Sequence, residues 1–189
     1  MKPILLFGTQ FTLSLIAYSL IGLWYVAPRL AKKPRETALA PLVWVHAFRM
    51  IGGTVLAPGA VAAGVPILFQ KMVGYGDLIT AFLALVALVA LRTRSSWAIP
   101  LVWLVVVVGM LDTINAIIQS VRYDVFVHAL GVNWVIVTIY VPALLVASAL
   151  ILWQLVRSPA AEPAAAMPVG AVGTPREGNP LGGPAGLPG

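Results

Sequence analysis

The chain has 189 residues, of which 60% are apolar and only 10% are charged. A water-soluble domain carries about 25% charged residues, so this composition excludes an ordinary soluble fold and indicates a multi-pass membrane protein. The sequence contains no cysteine, which excludes disulfides, thiolate metal sites and cysteine catalysis. The net charge of +6 does not indicate nucleic-acid binding, because the basic residues lie at the ends of apolar runs.

Five apolar runs are long enough to cross a hydrocarbon core of about 30 Å at about 1.5 Å per helical residue. They lie near residues 4–26, 40–60, 75–91, 97–118 and 133–156. The first run exceeds the core of a signal peptide, which has about 7–15 residues, and ends with Trp24 and Tyr25, so we expect a retained helix. The predicted fold is therefore all-α: a polytopic transmembrane bundle of five helices that forms one domain over residues 1–157.

Lysine and arginine predict how the five helices are oriented. Eight of these residues lie on one side of the predicted membrane and three on the other. Cytoplasmic loops carry an excess of basic residues, so we expect the N-terminus outside and the C-terminus in the cytoplasm, which requires an odd number of spans. The expected location is the bacterial cytoplasmic (inner) membrane. The eight are Arg29, Lys32, Lys33, Arg35, Arg92, Arg94, Arg157 and Arg176, and the three are Lys2, Lys71 and Arg122.

The segments outside the apolar runs differ from one another in composition. Residues 58–73 are apolar but interrupted by proline and glycine, which predicts an interfacial turn or a short re-entrant piece. Residues 120–133 alternate apolar and polar side chains, so we expect an amphipathic segment on the membrane surface. Residues 158–189 consist almost wholly of proline, glycine and alanine, and this composition predicts a disordered cytoplasmic tail.

Charged and amide side chains occur at membrane depth in three of the predicted spans. A charge at the bilayer centre costs at least about 2.5–3.5 kcal/mol, so such residues face the bundle interior and find partners. His46 and Arg49 are three residues apart and share one helical face. We expect Arg49 to pair with Asp112, because a planar guanidinium can hold two carboxylates. Asp77 and Asn115 are expected to complete this binding or polar cluster, with His46 one turn away.

Two roles for the polar cluster stay open. It can bind or conduct a small solute, a lipid headgroup or a proton, or it can be structural and fix which helices meet. In the second case the chain is a structural or assembly subunit, with a copy of itself or another membrane protein as partner. Asp77 also has a simpler interpretation, as an acid that the dipole favours in the first turn of a helix. His46 alone fits a satisfied interior histidine better than a ligand.

Three short strings resemble the motifs of the intramembrane aspartyl proteases, the presenilins and signal peptide peptidases. They are "GYGD" at 74–77, "YD" at Tyr123–Asp124 and "PAL" at Pro142–Leu144. Their order differs from that of the proteases, and Asp124 falls in a surface connection, so a protease is a remote alternative. We assign no catalytic residue, cofactor or metal ligand, and we expect membrane lipid but not nucleic acid as a partner.

Three longer stretches together resemble a family of small bacterial multi-pass integral membrane proteins of uncharacterised function. They are "HAFRMIGG", "GYGDLITAFLAL" and "WLVVVVGMLDTINAI", with the pattern HxFR, GxGD and GxxDxxN, and they cover roughly residues 40–120. The resemblance brings no activity with it. It implies one family core made of His46, Arg49, Gly76, Asp77, Asp112 and Asn115.

Overall fold

The computed structural model describes residues 2–157, and this part of the chain folds into helices without any strand. Five of the helices are long and apolar enough to cross a membrane, which confirms the predicted all-α class and the number of long apolar segments. The tail predicted at residues 158–189 lies outside the described residues. The five helices are α1 (Pro3–Ala31), α2 (Arg35–Leu56), α3 (Ile67–Arg92), α4 (Ala98–Arg122) and α5 (Asn133–Val156).

Helix α3 begins earlier than the composition indicates. Pro66 occupies the position before its first residue, and a fixed proline φ is well suited to a helix start. The predicted start at residue 75 was wrong, because Gly74 and Gly76 resemble helix breakers but lie inside the helix at close helix contacts. Asp77 is therefore ten residues inside α3, and the helix-dipole interpretation of this acid was also wrong.

The second half of α2, Phe48–Leu56, is a 3₁₀ helix. Runs of this kind rarely exceed three or four residues, and their side chains repeat every third residue. Arg49, Gly52 and Val55 therefore stand in one column, and all three are buried. In an α-helix, residues three positions apart differ by about 60° in direction around the helix axis. The 3₁₀ geometry removes this difference, so that all three positions face the bundle interior.

Helix α2 lies at the centre of the bundle and packs against α3, α4 and α5, while α3 and α4 form an antiparallel pair. Helix α1 is peripheral and packs on α5 and on the short 3₁₀ turn Val125–Val127. We call the end where α2 begins and α3 and α5 end the basic end. The core nearest this end is apolar and includes Leu39, Val43, Val102, Val105 and Ile151.

Two arginines connect the helix ends at the basic end through hydrogen bonds. The Arg157 guanidinium donates to the carbonyl oxygens of Ala31, the last residue of α1, at 3.0 Å and of Lys33, just beyond it, at 3.2 Å. Arg35 in turn donates to the Arg157 carbonyl at 2.5 Å. These bonds satisfy carbonyl groups that a helix end leaves without partners, and they hold the ends of α1, α2 and α5 together.

The opposite end is closed by a small apolar cluster that we call the plug. Its members come from α3 and from the two connections at this end, and they contact one another in place of lying on the surface. The segment expected on the membrane surface at residues 120–133 is buried only in part. Val125, Phe126 and Leu130 point inward, whereas Val121, Val127 and Val132 are exposed. The connection expected at 58–73 is also shorter, because residues 67–73 belong to α3. The plug consists of Val65, Phe69, Val125, Phe126 and Leu130.

Candidate functional site

Arg49 lies at the centre of a buried ion-pair cluster that joins three helices. Its Nε donates to Asp77 Oδ1 of α3 at 2.7 Å, and its Nη2 donates to Asp112 Oδ2 of α4 at 2.5 Å. Its Nη1 donates to the Gly109 carbonyl at 2.9 Å and to Thr113 Oγ1 at 3.1 Å. All three guanidinium nitrogens thus donate inside the protein, to four acceptors in total. We call Arg49, Asp77 and Asp112 the triad.

The triad lies at one level of the bundle. Arg49 and Asp112 each stand 14 residues from the basic end of their helices, and Asp77 stands 15 residues from it. At about 1.5 Å per residue these positions are about 21 Å from the basic end, beyond the middle of a hydrocarbon core of about 30 Å. With both carboxylates ionised, the triad would carry a net charge of −1 at this depth.

Three glycines make room for the triad. A β-carbon on Gly52 of α2 would overlap the Asp77 carboxylate, and one on Gly76 of α3 would overlap the Asp112 carboxylate. A β-carbon on Gly109 of α4 would stand 3.2 Å from Arg49 Nη1, tighter than ordinary van der Waals contact. Each carboxylate therefore lies flat against a neighbouring helix where that helix has no side chain, which lets the three helices approach closely.

A cavity of about 160 Å³ adjoins the triad on the side away from the basic end. The Asp77 and Asp112 side chains are 14% and 11% exposed, whereas the Arg49 side chain is 4% exposed. The cavity thus meets the acceptor oxygens of the carboxylates more than the donors of the guanidinium. Apart from the triad, its walls are mainly aliphatic and aromatic and include Ile4, Phe7, Phe11, Ile117, Val121, Ile136 and Val137.

Helix α5 completes the cavity through its π-helical turn, Ile136–Tyr140. Such turns are rare and occur often at functional sites. The Tyr140 hydroxyl donates to the Val45 carbonyl of α2 at 2.5 Å. Val45 lies where α2 changes from i→i−4 to i→i−3 bonding, and this change skips one carbonyl. Tyr140 satisfies the skipped acceptor and so fixes α5 against the helix that carries Arg49.

His46 is fully buried one turn from Arg49, but it does not bond to the triad. Its Nε2 lies 3.3 Å from Ser148 Oγ of α5, and Ser148 donates its hydroxyl hydrogen to the Leu144 carbonyl at 2.8 Å. With the Ser148 hydroxyl hydrogen on the Leu144 carbonyl, Nε2 would have to be the donor to Ser148, and Nδ1 has no partner among the described residues. His46 links α2 to α5 next to the triad and stands outside the cavity wall.

Asn115 was wrongly expected in the cluster. Its Oδ1 accepts a long 3.5 Å bond from Gln119 on the same helix, and it neither bonds to the triad nor lines the cavity. In an α-helix, residues three positions apart differ by about 60° in direction around the axis. Two such intervals separate Gly109 from Asn115, so Asn115 faces away from the side on which Gly109 lies. The face that meets the cavity runs instead through Thr113 and continues to Ala116 and Ser120.

Some residues of the site were not predicted from the sequence. Thr113 stands four residues after Gly109, and this spacing alone could have indicated a shared face. Gly52 stands three residues after Arg49, a spacing that aligns the two only in a 3₁₀ helix. Tyr140 carries no signal in the sequence, because its role depends on a carbonyl that local helix geometry exposes.

The strings shared with aspartyl proteases do not form a catalytic pair. Asp124 is exposed in the turn after α4 and has a left-handed backbone, whereas Asp77 bonds to Arg49 inside the bundle. Aspartyl protease chemistry needs two carboxylates that share a proton, and here each triad carboxylate is bonded to the guanidinium. Within residues 2–157, no three histidine or acidic side chains converge as metal ligands would.

Comparison with known proteins gives one match. No curated protein and no solved structure shows significant similarity to the chain. One family model, described as "Domain of unknown function (DUF8737)", matches residues 6–156 and so covers the whole triad, the three glycines and the cavity walls contributed by α2 to α5. Because the match spans well over half of the sequence, the chain belongs to the DUF8737 family of domains of unknown function.

Proposed function

We propose that this protein is a multi-pass protein of the bacterial cytoplasmic membrane that binds a small cationic or hydrogen-bond-donating group at Asp77 and Asp112. One observation carries the proposal: Arg49 donates to four acceptors inside the protein, while both carboxylates keep part of their surface on the cavity. The bound group belongs to a small solute or a lipid headgroup, or it is a proton. An anion is disfavoured, because few free donors face the cavity.

The charge of the triad supports the same choice. With both carboxylates ionised, its net charge of −1 would lie at a depth where an uncompensated charge is costly, and a bound cation or proton would neutralise it. With the basic end in the cytoplasm, as the excess of Lys and Arg favours, the cavity belongs to the outer half of the bundle. The proposed ligand therefore reaches the site from the outer leaflet or from the outer surface.

The surroundings of the triad favour binding over conduction. The cavity adjoins the triad from one side, and the core between the triad and the basic end is built mainly from tightly buried aliphatic side chains. A path for ions or polar solutes would need polar groups or water along its length. In this structure the buried layer is largely aliphatic, with Leu39, Val43, Val102, Val105 and Ile151, and its polar members are the His46–Ser148 pair and Gln154.

A structural role is the second candidate, and it also has a specific observation in its favour. Arg49 bonds to side chains on α3 and α4 and so fixes how α2, α3 and α4 meet. On this view the protein is a structural or assembly subunit whose partner supplies the activity. The two candidates differ in whether the carboxylates respond to an added ligand.

The test is thermal unfolding of the full chain in phosphatidylcholine nanodiscs with three probes of equal length: n-hexylammonium, n-hexanol and hexanoate. We expect hexylammonium to raise the Tm saturably and the other two to have only weak, non-saturating effects. A ligand at 100 times its Kd adds about 2.7 kcal/mol to the free energy of unfolding. Equal shifts with hexylammonium and hexanol would overturn the proposal, and this comparison needs no variant.

Amino-acid substitutions then test whether the Tm shift caused by hexylammonium depends on the triad carboxylates. Asp77→Asn and Asp112→Asn each remove one carboxylate from the cavity. Each is expected to raise at least tenfold the hexylammonium concentration that gives half of the maximal Tm shift. Asp124→Asn is the matched control, because it makes the same chemical change at an exposed turn outside the site. A full response in both triad variants would favour the structural role.

A further inference from the structure

We infer that the ligand is an amphiphile with a protonated amine at the end of an alkyl chain, and that it enters from the lipid phase between α1 and α4. This inference rests on the proposed function, since it takes the carboxylates as the site of the charged group. Two sources offer a protonated amine together with an alkyl chain: a free alkylamine, and a membrane lipid with an amine headgroup, in which a phosphate stands between the amine and the chains. The chain and the access route are argued from the walls of the cavity.

The walls beyond the triad suit a hydrocarbon chain. Helix α1 contributes Ile4, Phe7 and Phe11, and α4 contributes Ile117 and Val121. None of these side chains offers a hydrogen bond, so a polar solute would lose its hydration without compensation along most of the cavity. An alkyl chain loses nothing there and gains contact with closely placed side chains.

The cavity reaches the lipid-facing surface between α1 and α4. Helix α1 packs on α5, and α1 and α4 have no substantial packing against each other although both line the cavity. Ile117 and Val121 line it and are nevertheless 44% and 64% exposed. Side chains that belong both to a cavity wall and to the outer surface mark its mouth. We call the gap between α1 and α4 at these residues the portal.

The aqueous end offers no comparable opening. The plug covers the cavity from that end, and the ring of Phe126 lies 4.1 Å from the ring of Phe7 on α1. Asn133 at the start of α5 accepts from Thr54 at 3.0 Å and donates to the Ala60 carbonyl at 3.3 Å, which holds the neighbouring connection in place. A solute from water would have to displace this packed cluster, whereas a molecule in the bilayer meets the portal directly.

The size of the cavity sets how much of the ligand it encloses. About 160 Å³ is close to an engineered protein cavity of about 150 Å³ that holds benzene. The head and about six carbon atoms therefore fit inside, and a longer chain continues through the portal into the lipid. A short alkylamine and a long one should consequently bind the triad alike but use the portal differently.

The experiment compares n-hexylammonium with n-dodecylammonium on the full chain in phosphatidylcholine nanodiscs. Hexanol and dodecanol are the uncharged controls for partition into the bilayer, and the Tm shift above these controls is measured. We expect Ile117→Trp and Val121→Trp, which add bulk at the portal, to weaken the dodecylammonium response at least tenfold more than the hexylammonium response. Ile118→Trp is the matched control, because it adds the same side chain to an exposed position of α4 outside the cavity.

Failure of this inference differs from failure of the proposed function. An unchanged dodecylammonium response in both portal variants, or an equal weakening of the dodecylammonium and hexylammonium responses, would overturn the access route while wild-type binding of hexylammonium still stands. No hexylammonium response in the wild type would overturn the proposed function and this inference together. Replacing phosphatidylcholine with phosphatidylethanolamine identifies the source: competition with hexylammonium assigns the amine to a lipid headgroup, and no competition assigns it to a free alkylamine.

Discussion

Asp77 Oδ1 lies 2.7 Å from Arg49 Nε, and the rest of the Asp77 carboxylate occupies the space where Gly52 has no side chain. Arg49 and Gly52 belong to one column of the 3₁₀ segment of α2, so a single stretch of backbone supplies both the partner of Asp77 and the room for it. The absence of a side chain at residue 52 is thus as much a part of the ion pair as the charge at residue 49.

The first prediction is that Gly52→Ala destabilises the fold. The added β-carbon overlaps the Asp77 carboxylate, which then has to leave Arg49 or push α3 away. Overpacking of this kind costs about 1–3 kcal/mol, and loss of the ion pair adds to it. Thermal unfolding of the purified protein measures the change as a lower Tm.

Gly8→Ala is the control for this substitution. No atom lies within 4 Å of the position that its β-carbon would take, and Gly8 is inside the regular part of α1. Alanine forms helix better than glycine by about 1 kcal/mol, so the control should keep or raise the Tm. A Gly52→Ala protein as stable as Gly8→Ala would contradict the close contact between α2 and Asp77.

The second prediction concerns Arg49 and separates the two candidate functions. Arg49→Met alone leaves two carboxylates buried without their cation, and breaking a buried pair in this way costs about 3–5 kcal/mol. The triple change Arg49→Met, Asp77→Asn and Asp112→Asn removes all three charges at nearly constant volume and is expected to recover much of the folded yield. Yield in detergent and Tm in nanodiscs measure both proteins.

The triple variant should fold yet fail to respond to hexylammonium. This combination is expected because an uncharged cluster still fills the space between α2, α3 and α4 but no longer attracts a cation. A genetic readout in the native host adds the biological test. Full growth with the triple variant would mean that the charges serve no purpose beyond helix pairing.

The sequence predicts the coarse fold well because hydropathy alone requires it. Runs of about 20 apolar residues have few alternatives to a membrane helix, so the five helices follow from composition. The pairing of Arg49 with Asp112 follows from the same physics, since a charge at that depth needs a partner and few partners exist. These two predictions succeed because the cost of unsatisfied backbone groups, or of an unpaired charge, inside a membrane outweighs the other contributions to folding.

Where each helix starts and where it changes geometry depend on small differences in free energy, and no residue pattern in the sequence indicates them. Glycine favours a turn in water but close helix packing in a membrane, so the start of α3 was placed too late. Whether α2 continues as an α-helix or changes to a 3₁₀ helix at Phe48 depends on contacts with other helices. Thr113 and Tyr140 join the site only once these local geometries are known.

The third prediction compares two positions on α4. Thr113→Val keeps the shape of the side chain but removes one of the two acceptors of Arg49 Nη1, and it is expected to cost about 1 kcal/mol. Asn115→Leu changes a polar residue that stands outside the triad and is expected to leave the Tm nearly unchanged. The reverse order of the two Tm values would restore Asn115 to the cluster and remove Thr113 from it.

The fourth prediction tests the bond between α5 and α2. Tyr140→Phe leaves the Val45 carbonyl without a partner, at a cost of about 1–2 kcal/mol in the free energy of unfolding. Tyr75→Phe is the matched control, because the Tyr75 side chain is largely exposed on the outside of α3. Equal Tm values for the two variants would mean that the carbonyl of Val45 needs no hydroxyl donor.

The fifth prediction tests the orientation of the bundle and uses the absence of cysteine from the sequence. Ser96 is exposed in the connection between α3 and α4 at the basic end, and Ala129 is exposed in the connection between α4 and α5 at the opposite end. Because basic loops are retained in the cytoplasm, a membrane-impermeant maleimide should label Ala129→Cys in intact cells and Ser96→Cys only after the membrane is opened. The unaltered protein supplies the background. Labelling in the reverse order would place the triad and its cavity in the cytoplasmic half of the membrane, and the proposed ligand would then come from the inner leaflet.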